Sequence, residues 1–290
     1  RILLCFKGLT VPSGFFMSWL ISVIILAVIQ GLTEFFPVSS SGHLVLAESF
    51  FRLTGELSQS GSILFELAVH IGTLGAVIIF YRDRVISLID SLVRWIAGGL
   101  EIRDNLREDL GFFLFLVVGS LPAAVVGLIF RDRISGLFDS PSAASVLLVA
   151  TGVFLLLGKD RGTDFPLTWK SALLIGAAQA VAIMPGCSRS GWTITTALLL
   201  GIGFRKAAEY SFLLSIPPIT FGFLLELGAF PGEISSRAAA ALVIGALVSF
   251  LSGWLALRLL LGILSRGNFN RFAYYLMPAG GAAFIYFYYF

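Results

Sequence analysis

The stretch QGLTEFFPVSSSGHL, Gln30 to Leu44, brings a carboxylate, an imidazole and three consecutive serines into a strongly apolar chain. Of the 290 residues, 57% are hydrophobic and 13% are charged. This is the composition of a helical integral membrane protein, and it excludes a soluble globular protein. Because a carboxylate within a membrane is costly and usually faces a cavity or a partner, the stretch predicts a functional site at membrane depth.

The charged residues indicate which partners the protein has. The formal net charge is +3, and the basic residues are spread among short loops between apolar runs. That distribution fits contact with anionic lipid headgroups and argues against nucleic acid as a partner. Cys5 and Cys187 have no metal-ligand spacing, so no zinc site is expected.

Apolar segments recur along the chain and predict an all-α polytopic membrane protein. They are roughly Trp19 to Phe36, Ile63 to Tyr81, Phe112 to Phe130, Ala143 to Leu157, Ala172 to Met184, Trp192 to Gly203, Ser211 to Phe230, Ala238 to Leu264 and Phe272 to Phe290. Crossing a bilayer takes about 20 apolar residues, and the segments around PVSSSG and PGCSRSG are too short for this. Two short arms joined by a Pro/Gly/Ser turn predict a re-entrant helix hairpin at each place. We call residues 37–42 the first tip and residues 185–191 the second tip.

The two tips match one another in sequence. The shift that takes Gln30 to Gln179 also aligns Ser39 with Ser188, Ser41 with Ser190 and Gly42 with Gly191. An internal repeat explains this match, and chance similarity of Ser/Gly-rich turns is the alternative. The repeat interpretation predicts one membrane domain, residues 17–290, with a first repeat over about 17–140 and a second over about 141–290. Residues 1–16 are expected to be an N-terminal extension.

Basic residues in the loops predict the orientation of the chain, since Lys and Arg accumulate on the cytoplasmic side. If the first hairpin enters from outside and the second from inside, the cytoplasmic loops hold more basic residues than the outer loops. The cytoplasmic set is Arg82, Arg84, Arg94, Arg103, Arg107, Lys159, Arg161, Lys170, Arg205, Lys206, Arg266 and Arg271, and the outer set is Arg1, Lys7, Arg52, Arg131, Arg133 and Arg237. The repeats are then inverted, and both tips meet near the membrane midplane.

The first hairpin carries groups suited to anion chemistry. Glu34 lies four residues after Gln30, so both share one helical face. Pro37 ends that helix, and Ser39, Ser40 and Ser41 supply hydroxyl and backbone N–H groups at the start of the next arm, where anions bind readily. His43 follows directly.

The second tip adds a permanent positive charge. Arg189 lies between Ser188 and Ser190, and its planar fork suits phosphate oxygens. The alternative is a structural ion pair with Glu34, and both roles are compatible if a bound anion displaces the pair. Thr193 is expected to cap the second arm or to add a further donor.

Together the tips predict phosphoryl chemistry on a substrate whose apolar part stays in the lipid. Glu34 and Gln30 are expected to hold a divalent cation, Mg²⁺ or alternatively Ca²⁺, and either a serine or His43 is a possible attacking group. Glu66 and His70, four residues apart, are expected either to line the route to the site or to form a structural pair.

The sequence resembles the bacterial undecaprenyl-diphosphate phosphatases, the bacitracin-resistance phosphatases. QGLTEFFPVSSSGHL resembles the first signature of that family, and PGCSRSGWTIT with the following RKAAEYSFLLSIP resembles the second. The resemblance covers about Met17 to the C-terminus. It implies that the protein hydrolyses undecaprenyl diphosphate to the monophosphate lipid carrier used in cell-wall synthesis. It also implies two interlocked inverted repeats and a site reached from the outer face of the bacterial cytoplasmic membrane.

The same resemblance implies roles for individual residues. Gln30 and Glu34 match the family's Glu/Gln-x-x-x-Glu element, so only Glu34 supplies a charged metal ligand here. Ser40 matches the serine often assigned as the nucleophile, and His43 matches the histidine proposed as base or as nucleophile. Ser188, Arg189 and Thr193 match phosphate-binding positions, and Ser39, Ser41 and Ser190 are expected to help bind the diphosphate. Our preferred assignment is Ser40 as nucleophile with His43 or Glu34 as base.

Transport is the alternative function. Inverted repeats with broken helices that meet at the midplane are also the architecture of secondary transporters. Such a protein would move a lipid phosphate or another anion, and it would need hydrogen-bond donors but neither a base nor a nucleophile. The oligomeric state is left open, with a homodimer among the alternatives.

Overall fold

The protein is built from α-helices throughout the part of the chain that the structure describes. This computed structural model describes residues 13–53, 62–97, 104–160, 163–229, 236–264 and 269–289. The helices are α1 (Ser13–Phe35), α2 (Ser40–Leu53), α3 (Ser62–Phe80), α4 (Arg82–Ile96), α5 (Asp104–Ile129), α6 (Arg131–Phe138), α7 (Pro141–Leu155), α8 (Trp169–Val181), α9 (Arg189–Leu199), α10 (Phe204–Leu213), α11 (Ile216–Ala229), α12 (Ser236–Leu264) and α13 (Ala273–Tyr289), with a 3₁₀ turn at Phe269–Phe272 before α13.

Helices α1 and α2 form the first hairpin, and local sequence explains its turn. Pro37 has no backbone N–H and cannot continue α1, which ends at Phe35. Ser39 then adopts φ of +68°, in the left-handed region that few residues other than glycine occupy. Its hydroxyl accepts the N–H of Gly42 at 3.2 Å, which caps α2.

Helices α8 and α9 form the second hairpin. Helix α8 begins with a capping box in which Thr168 and Ser171 satisfy each other's backbone N–H groups. The chain turns at Gly186, whose φ of +95° suits glycine because it has no Cβ. Ser188 caps α9 by accepting the N–H of Gly191 at 3.1 Å.

Several helices have the length and apolarity to cross a membrane. Within the described ranges, the long candidate spans are Leu106–Ile129, Phe204–Leu225 and Ala238–Gly262. Two further candidates are bent pairs, α3 with α4 at 83° and α6 with α7 at 98°. Large apolar side chains such as Leu251 and Ile129 are exposed on these helices, as expected for a surface that faces lipid.

Small residues allow the helices that carry the hairpins to pack closely. Helix α12 packs against α1 and α3, helix α5 packs against α8, and helix α13 packs against α7. A Cβ at Gly31 on α1 would lie 2.7 Å from the carbonyl oxygen of Ser249 on α12, and a Cβ at Gly176 on α8 would collide with the backbone of Gly119 on α5. Close backbone approach of this kind is the usual packing mode of membrane helices.

The predicted fold class, an all-α polytopic membrane protein, is confirmed. Each predicted apolar segment corresponds to a helix or to a consecutive pair of helices. The inverted repeats and the membrane re-entry of the hairpins stay predictions. For the expected N-terminal extension, residues 1–12 lie outside the described part of the chain, and residues 13–16 belong to α1.

Candidate active site

The two tips touch each other in the interior of the protein. A Cβ at Gly42 would lie 2.8 Å from Cα of Gly186, so the backbones of the two turns are in direct contact. The Ser190 hydroxyl donates to the Phe36 carbonyl at 3.3 Å. The structure therefore brings the two polar stretches of the sequence together, as predicted.

Glu34 lies at the centre of this contact and uses both carboxylate oxygens. Its Oε1 accepts Nη2 of Arg189 from the second tip at 2.5 Å. Its Oε2 accepts the Ser40 hydroxyl at 2.5 Å and Nε2 of Gln30 at 3.0 Å. Glu34 is 8% exposed, and a buried charge of this kind requires such partners.

Arg189 forms the ion pair with Glu34 that the sequence suggested, and among the described residues one of its guanidinium nitrogens has no hydrogen-bond partner. Its side chain is 15% exposed, and Nη2 is engaged by Glu34. Nη1 is buried and has no hydrogen-bond partner among the described residues. A buried guanidinium N–H without a partner is unfavourable, so an anion entering the site gains a strong, charge-assisted donor there.

His43 is held away from the Ser40 hydroxyl by two other partners. Its Nδ1 lies 2.8 Å from the Ser39 carbonyl, which can only accept, so Nδ1 carries a proton. Its Nε2 lies 2.7 Å from the Tyr275 hydroxyl, which donates to it when the imidazole is neutral. The two rings stack at 5.8 Å with an interplanar angle of 14°. In this arrangement Glu34, and not His43, is positioned to accept the Ser40 proton.

The predicted diphosphate-binding serines mainly build the helix starts. Ser39 and Ser188 cap α2 and α9, and each lies 3.3 Å from the hydroxyl of the serine two residues later, Ser41 or Ser190. Three of the four are almost fully buried, whereas Ser41 is partly exposed. They fix the direction of the two helix N-termini, and direct contact with diphosphate stays a prediction.

Thr193 is also turned inward. Its hydroxyl donates to the Arg189 carbonyl at 2.7 Å and lies 2.6 Å from the Ser211 hydroxyl on α10. The side chain is 0% exposed. This geometry anchors the backbone of Arg189, and the predicted contact of Thr193 with substrate stays a prediction.

Glu66 and His70 of α3 lie beside the site. His70 Nδ1 is 2.7 Å from the backbone carbonyl of Glu66, and His70 Nε2 is 3.9 Å from Oε2 of Glu34. His70 therefore contacts Glu66 through the backbone carbonyl of Glu66, and Nε2 of His70 faces the carboxylate of Glu34. The sequence indicated both residues through their shared helical face.

Two contributors were missed by sequence reasoning. Tyr275 of α13 binds His43 from 232 residues away. Thr151 of α7 donates to the Gly186 carbonyl at 2.9 Å and accepts from Nε1 of Trp192 at 3.2 Å, which fixes the second tip. Neither residue stands in a motif, and ordinary Tyr and Thr in apolar helices give no local signal.

The predicted metal ligands present one free acceptor. Gln30 is fully buried, and its Oε1 finds no hydrogen-bond partner within the described ranges. An amide oxygen beside a carboxylate fits the oxygen ligands that Mg²⁺ and Ca²⁺ prefer. The described residues contain no group of three His, Cys, Asp or Glu side chains that could hold a metal ion, so the substrate phosphates would have to complete such a site.

Comparison with known proteins gives one consistent result. Residues 23–282 match the family described as bacitracin resistance protein BacA. The undecaprenyl-diphosphatase of Korarchaeum cryptofilum is 39% identical over 89% of this chain and 95% of that protein, and the one of Desulfosudis oleivorans has the same values. Undecaprenyl-diphosphatase 1 of Pseudoalteromonas translucida is 38% identical over 90% of this chain and 96% of its own length.

Proposed function

Because the chain belongs to the bacitracin resistance protein BacA family, we propose that it hydrolyses undecaprenyl diphosphate to undecaprenyl phosphate and phosphate. The protein is a membrane phosphatase that returns the lipid carrier for cell-wall synthesis. The transport alternative gains no support from the names of the relatives, which are named as diphosphatases.

One observation carries the proposal, namely that a single carboxylate contacts both a hydroxyl and a guanidinium. Glu34 accepts the Ser40 hydroxyl through one oxygen and Arg189 through the other. A hydroxyl bound to a carboxylate is the arrangement of a nucleophile with its base, and the arginine supplies the positive charge that phosphoryl transfer requires. An anion-transport site has no need for the first of these contacts.

The first chemical step starts from the Ser40 hydroxyl. Its Oγ attacks the terminal phosphorus, and its proton passes to Glu34. The bond between that phosphorus and the bridging oxygen breaks, and the bridging oxygen takes the bonding electrons and the proton from Glu34. Undecaprenyl phosphate leaves, and Ser40 carries the phosphoryl group.

The second step returns the enzyme to its starting state. Glu34 takes a proton from a water molecule as that water attacks the phosphorus, and the bond to Ser40 Oγ breaks. Glu34 then gives the proton back to Oγ, which it already contacts, and phosphate is released. Each step uses the same carboxylate, first as base and then as acid.

Arg189 stabilises the charge that develops on the transferred phosphoryl group. Its free Nη1 binds a terminal phosphate oxygen, and Nη2 exchanges Glu34 for a second oxygen as substrate enters. The N-termini of α2 and α9 both begin at the tips and add their positive ends to the site.

The same residues suit a divalent cation. Gln30 Oε1 and Glu34 would hold Mg²⁺ or Ca²⁺ together with the substrate phosphates, and the cation would neutralise part of the negative charge of the diphosphate.

We further propose that the protein lies in the cytoplasmic membrane with its site open to the outer face. The excess of basic residues in the loops assigned to the cytoplasm supports this orientation. Single cysteines in place of the exposed Arg82 and Arg133 test it by labelling with a membrane-impermeant maleimide. We expect only the Arg133 position to react from outside, and labelling of both positions from one side would overturn the orientation.

The activity is tested with purified protein in detergent, undecaprenyl diphosphate and Mg²⁺, with release of phosphate as the measurement. We expect turnover by the wild type and its loss after Glu34→Gln. Absence of phosphate release from the wild type, with exchange of the lipid between vesicle leaflets instead, would support transport and overturn the proposal.

A further inference from the structure

His70 of α3 faces the Glu34 carboxylate, and the steps described above give it no part. Its Nε2 lies 3.9 Å from Oε2 of Glu34, and its side chain is 23% exposed whereas that of Glu34 is 7% exposed. This separation is too long for a direct hydrogen bond. It suits a single bridging water molecule, since two hydrogen bonds of about 2.8 Å span it with an angle of roughly 90° at the water.

The backbone of α3 fixes which nitrogen of His70 accepts a hydrogen bond. Nδ1 lies 2.7 Å from the Glu66 carbonyl, which can only accept, so Nδ1 carries the proton. In the neutral imidazole Nε2 then has a free lone pair, and it faces a second acceptor, Oε2 of Glu34. Two acceptors that face each other need a donor between them, and the two O–H groups of one water molecule supply a hydrogen bond to each.

Phosphorylation of Ser40 makes an acceptor position on Glu34 available to this water. In the structure Oε2 accepts the Ser40 hydroxyl and Nε2 of Gln30, and a carboxylate oxygen has two lone pairs. Once Ser40 carries the phosphoryl group, its Oγ has no hydrogen to donate, so one lone pair of Oε2 becomes free. The position therefore opens at the step that consumes a water molecule.

We propose that His70 is a further catalytic residue, which binds the water molecule that hydrolyses the phosphoserine. The inference rests on the proposed function and, within it, on Ser40 as the nucleophile. The water donates one hydrogen bond to His70 Nε2 and the other to Glu34 Oε2, so its oxygen presents a lone pair to the phosphorus.

The protons balance without a change in the charge of His70. As the water oxygen bonds to phosphorus, the bond from phosphorus to Ser40 Oγ breaks. One water proton passes to Glu34 and from there to Oγ, and the other stays on the released phosphate beside His70. The imidazole therefore orients the attacking water, and Glu34 remains the base.

The variant His70→Leu tests this assignment, because leucine cannot accept a hydrogen bond. Undecaprenyl diphosphate with a radioactive terminal phosphate is mixed with purified protein and Mg²⁺, and rapid quenching follows both undecaprenyl phosphate and label bound to the protein. We expect kcat to fall about 10- to 100-fold. We expect kcat/KM to stay near the wild-type value, because it reports only the steps up to the first irreversible one, the release of undecaprenyl phosphate. Undecaprenyl phosphate should appear in a burst equal to the enzyme concentration, with label on the peptide that contains Ser40.

Two further variants separate this role from a structural one. His70→Gln keeps an acceptor at about the reach of Nε2, so kcat should return to within about threefold of the wild type. Ile79→Leu introduces the same leucine on α3 at a position that is 50% exposed, and it should match the wild type. If His70→Leu lowers kcat and kcat/KM equally and leaves no label on the protein, or if it keeps wild-type turnover, the assignment is overturned.

The outcomes also distinguish this inference from the proposed function. If the wild type releases no phosphate from undecaprenyl diphosphate, the proposed function fails. If the wild type releases phosphate but neither it nor His70→Leu carries label on Ser40, hydrolysis proceeds without a phosphoserine. The phosphatase function then stands, and the role of His70 is overturned.

A second measurement does not depend on folding of a variant. Orthovanadate bound to the hydroxyl of a serine nucleophile adopts the five-coordinate geometry of phosphoryl transfer, with the oxygen of the attacking water opposite Oγ. In a crystal structure of the wild type with vanadate on Ser40, we expect that oxygen within about 3.2 Å of both His70 Nε2 and Glu34 Oε2. An apical oxygen that contacts other residues instead of His70 would overturn the inference.

Discussion

The first and second tips share a backbone framework and differ in the side chains placed on it. In both, a serine caps the following helix through the N–H of a glycine three residues later, at 3.2 Å in the first tip and 3.1 Å in the second. In both, a second serine hydroxyl lies 3.3 Å from the capping hydroxyl. The position between these serines is Ser40 in the first tip and Arg189 in the second, and these two residues meet at Glu34.

This difference explains how a repeated turn yields one asymmetric site. Both turns present a helix N-terminus, which favours anions. Only the first has a hydroxyl that meets a carboxylate, Glu34 at the end of α1, and only the second adds a guanidinium. The position that is His43 after the first tip is Trp192 after the second, where it stacks on Phe154 at 4.2 Å and contacts Thr151. The first tip is therefore assigned the chemistry, and the second is assigned the binding of phosphate.

The largest effect is expected from removing the hydroxyl that distinguishes the first tip. Ser40→Ala should lower kcat by roughly 10³-fold or more, as loss of a nucleophile generally does. Phosphate release under saturating substrate measures it. Thr33→Ala is the control, because its hydroxyl lies near Glu34 in sequence but, among the described residues, bonds only the Ile29 carbonyl. Near-normal turnover of Ser40→Ala would assign the attack to His43.

A smaller effect is expected from replacing Arg189, the charged residue of the second tip. Arg189→Lys keeps the charge but removes the fork that engages Glu34 and phosphate together, so kcat/KM should fall about 100-fold. Arg258→Lys is the control, since Arg258 lies over the Trp254 ring at 3.8 Å on α12 and is not part of the site. Equal activity of both variants would give Arg189 a structural role only.

The contact between the tips can be tested by its effect on stability. Gly42→Ala places a Cβ 2.8 Å from the backbone Cα of Gly186 and 3.0 Å from Cδ2 of Leu148, so it should lower the free energy of unfolding by about 1–3 kcal/mol. Gly111→Ala on α5 meets no atom within 4 Å and should be neutral or slightly stabilising. Thermal unfolding in detergent compares the two. If the Gly42→Ala and Gly111→Ala variants are equally stable, the two tips separate readily.

The metal assignment predicts a shift in cation dependence. Gln30→Glu adds a second carboxylate next to Glu34 in place of the unpartnered amide oxygen, so half-maximal activity should need about tenfold less Mg²⁺. A titration of phosphate release against Mg²⁺ concentration measures this. An inactive variant, or an unchanged titration, would contradict the assignment of Gln30 as a ligand.

The smallest effect is expected at the partner of His43. Tyr275→Phe keeps the stacked ring and removes the hydroxyl that Nε2 of His43 contacts, so activity should change about threefold, in line with one neutral hydrogen bond. Separate measurement of kcat and KM shows whether turnover or substrate binding is affected. A loss as large as that of Ser40→Ala would make His43 a participant in the chemistry.

Much of the site could be predicted from the sequence because its polar residues cluster in two short turns. Glu34, Ser40 and Arg189 are conspicuous in apolar surroundings, where each charged group needs a purpose. The choice of base could not be predicted, since the spacing of Ser40 and His43 on one helix allowed contact between them. The structure gives His43 two other partners and gives the Ser40 proton to Glu34.

The amino-acid sequence by itself determined the membrane class, the position of the helices and the two turns where polar groups collect. Hydrophobic runs and Pro/Gly/Ser turns are local signals, and local signals can be read without knowledge of distant contacts. Only the tertiary structure decided that Glu34 bridges Ser40 and Arg189 and that Tyr275 contacts His43. These contacts join residues up to 232 positions apart, and they depend on how the helices pack rather than on any pattern along the chain.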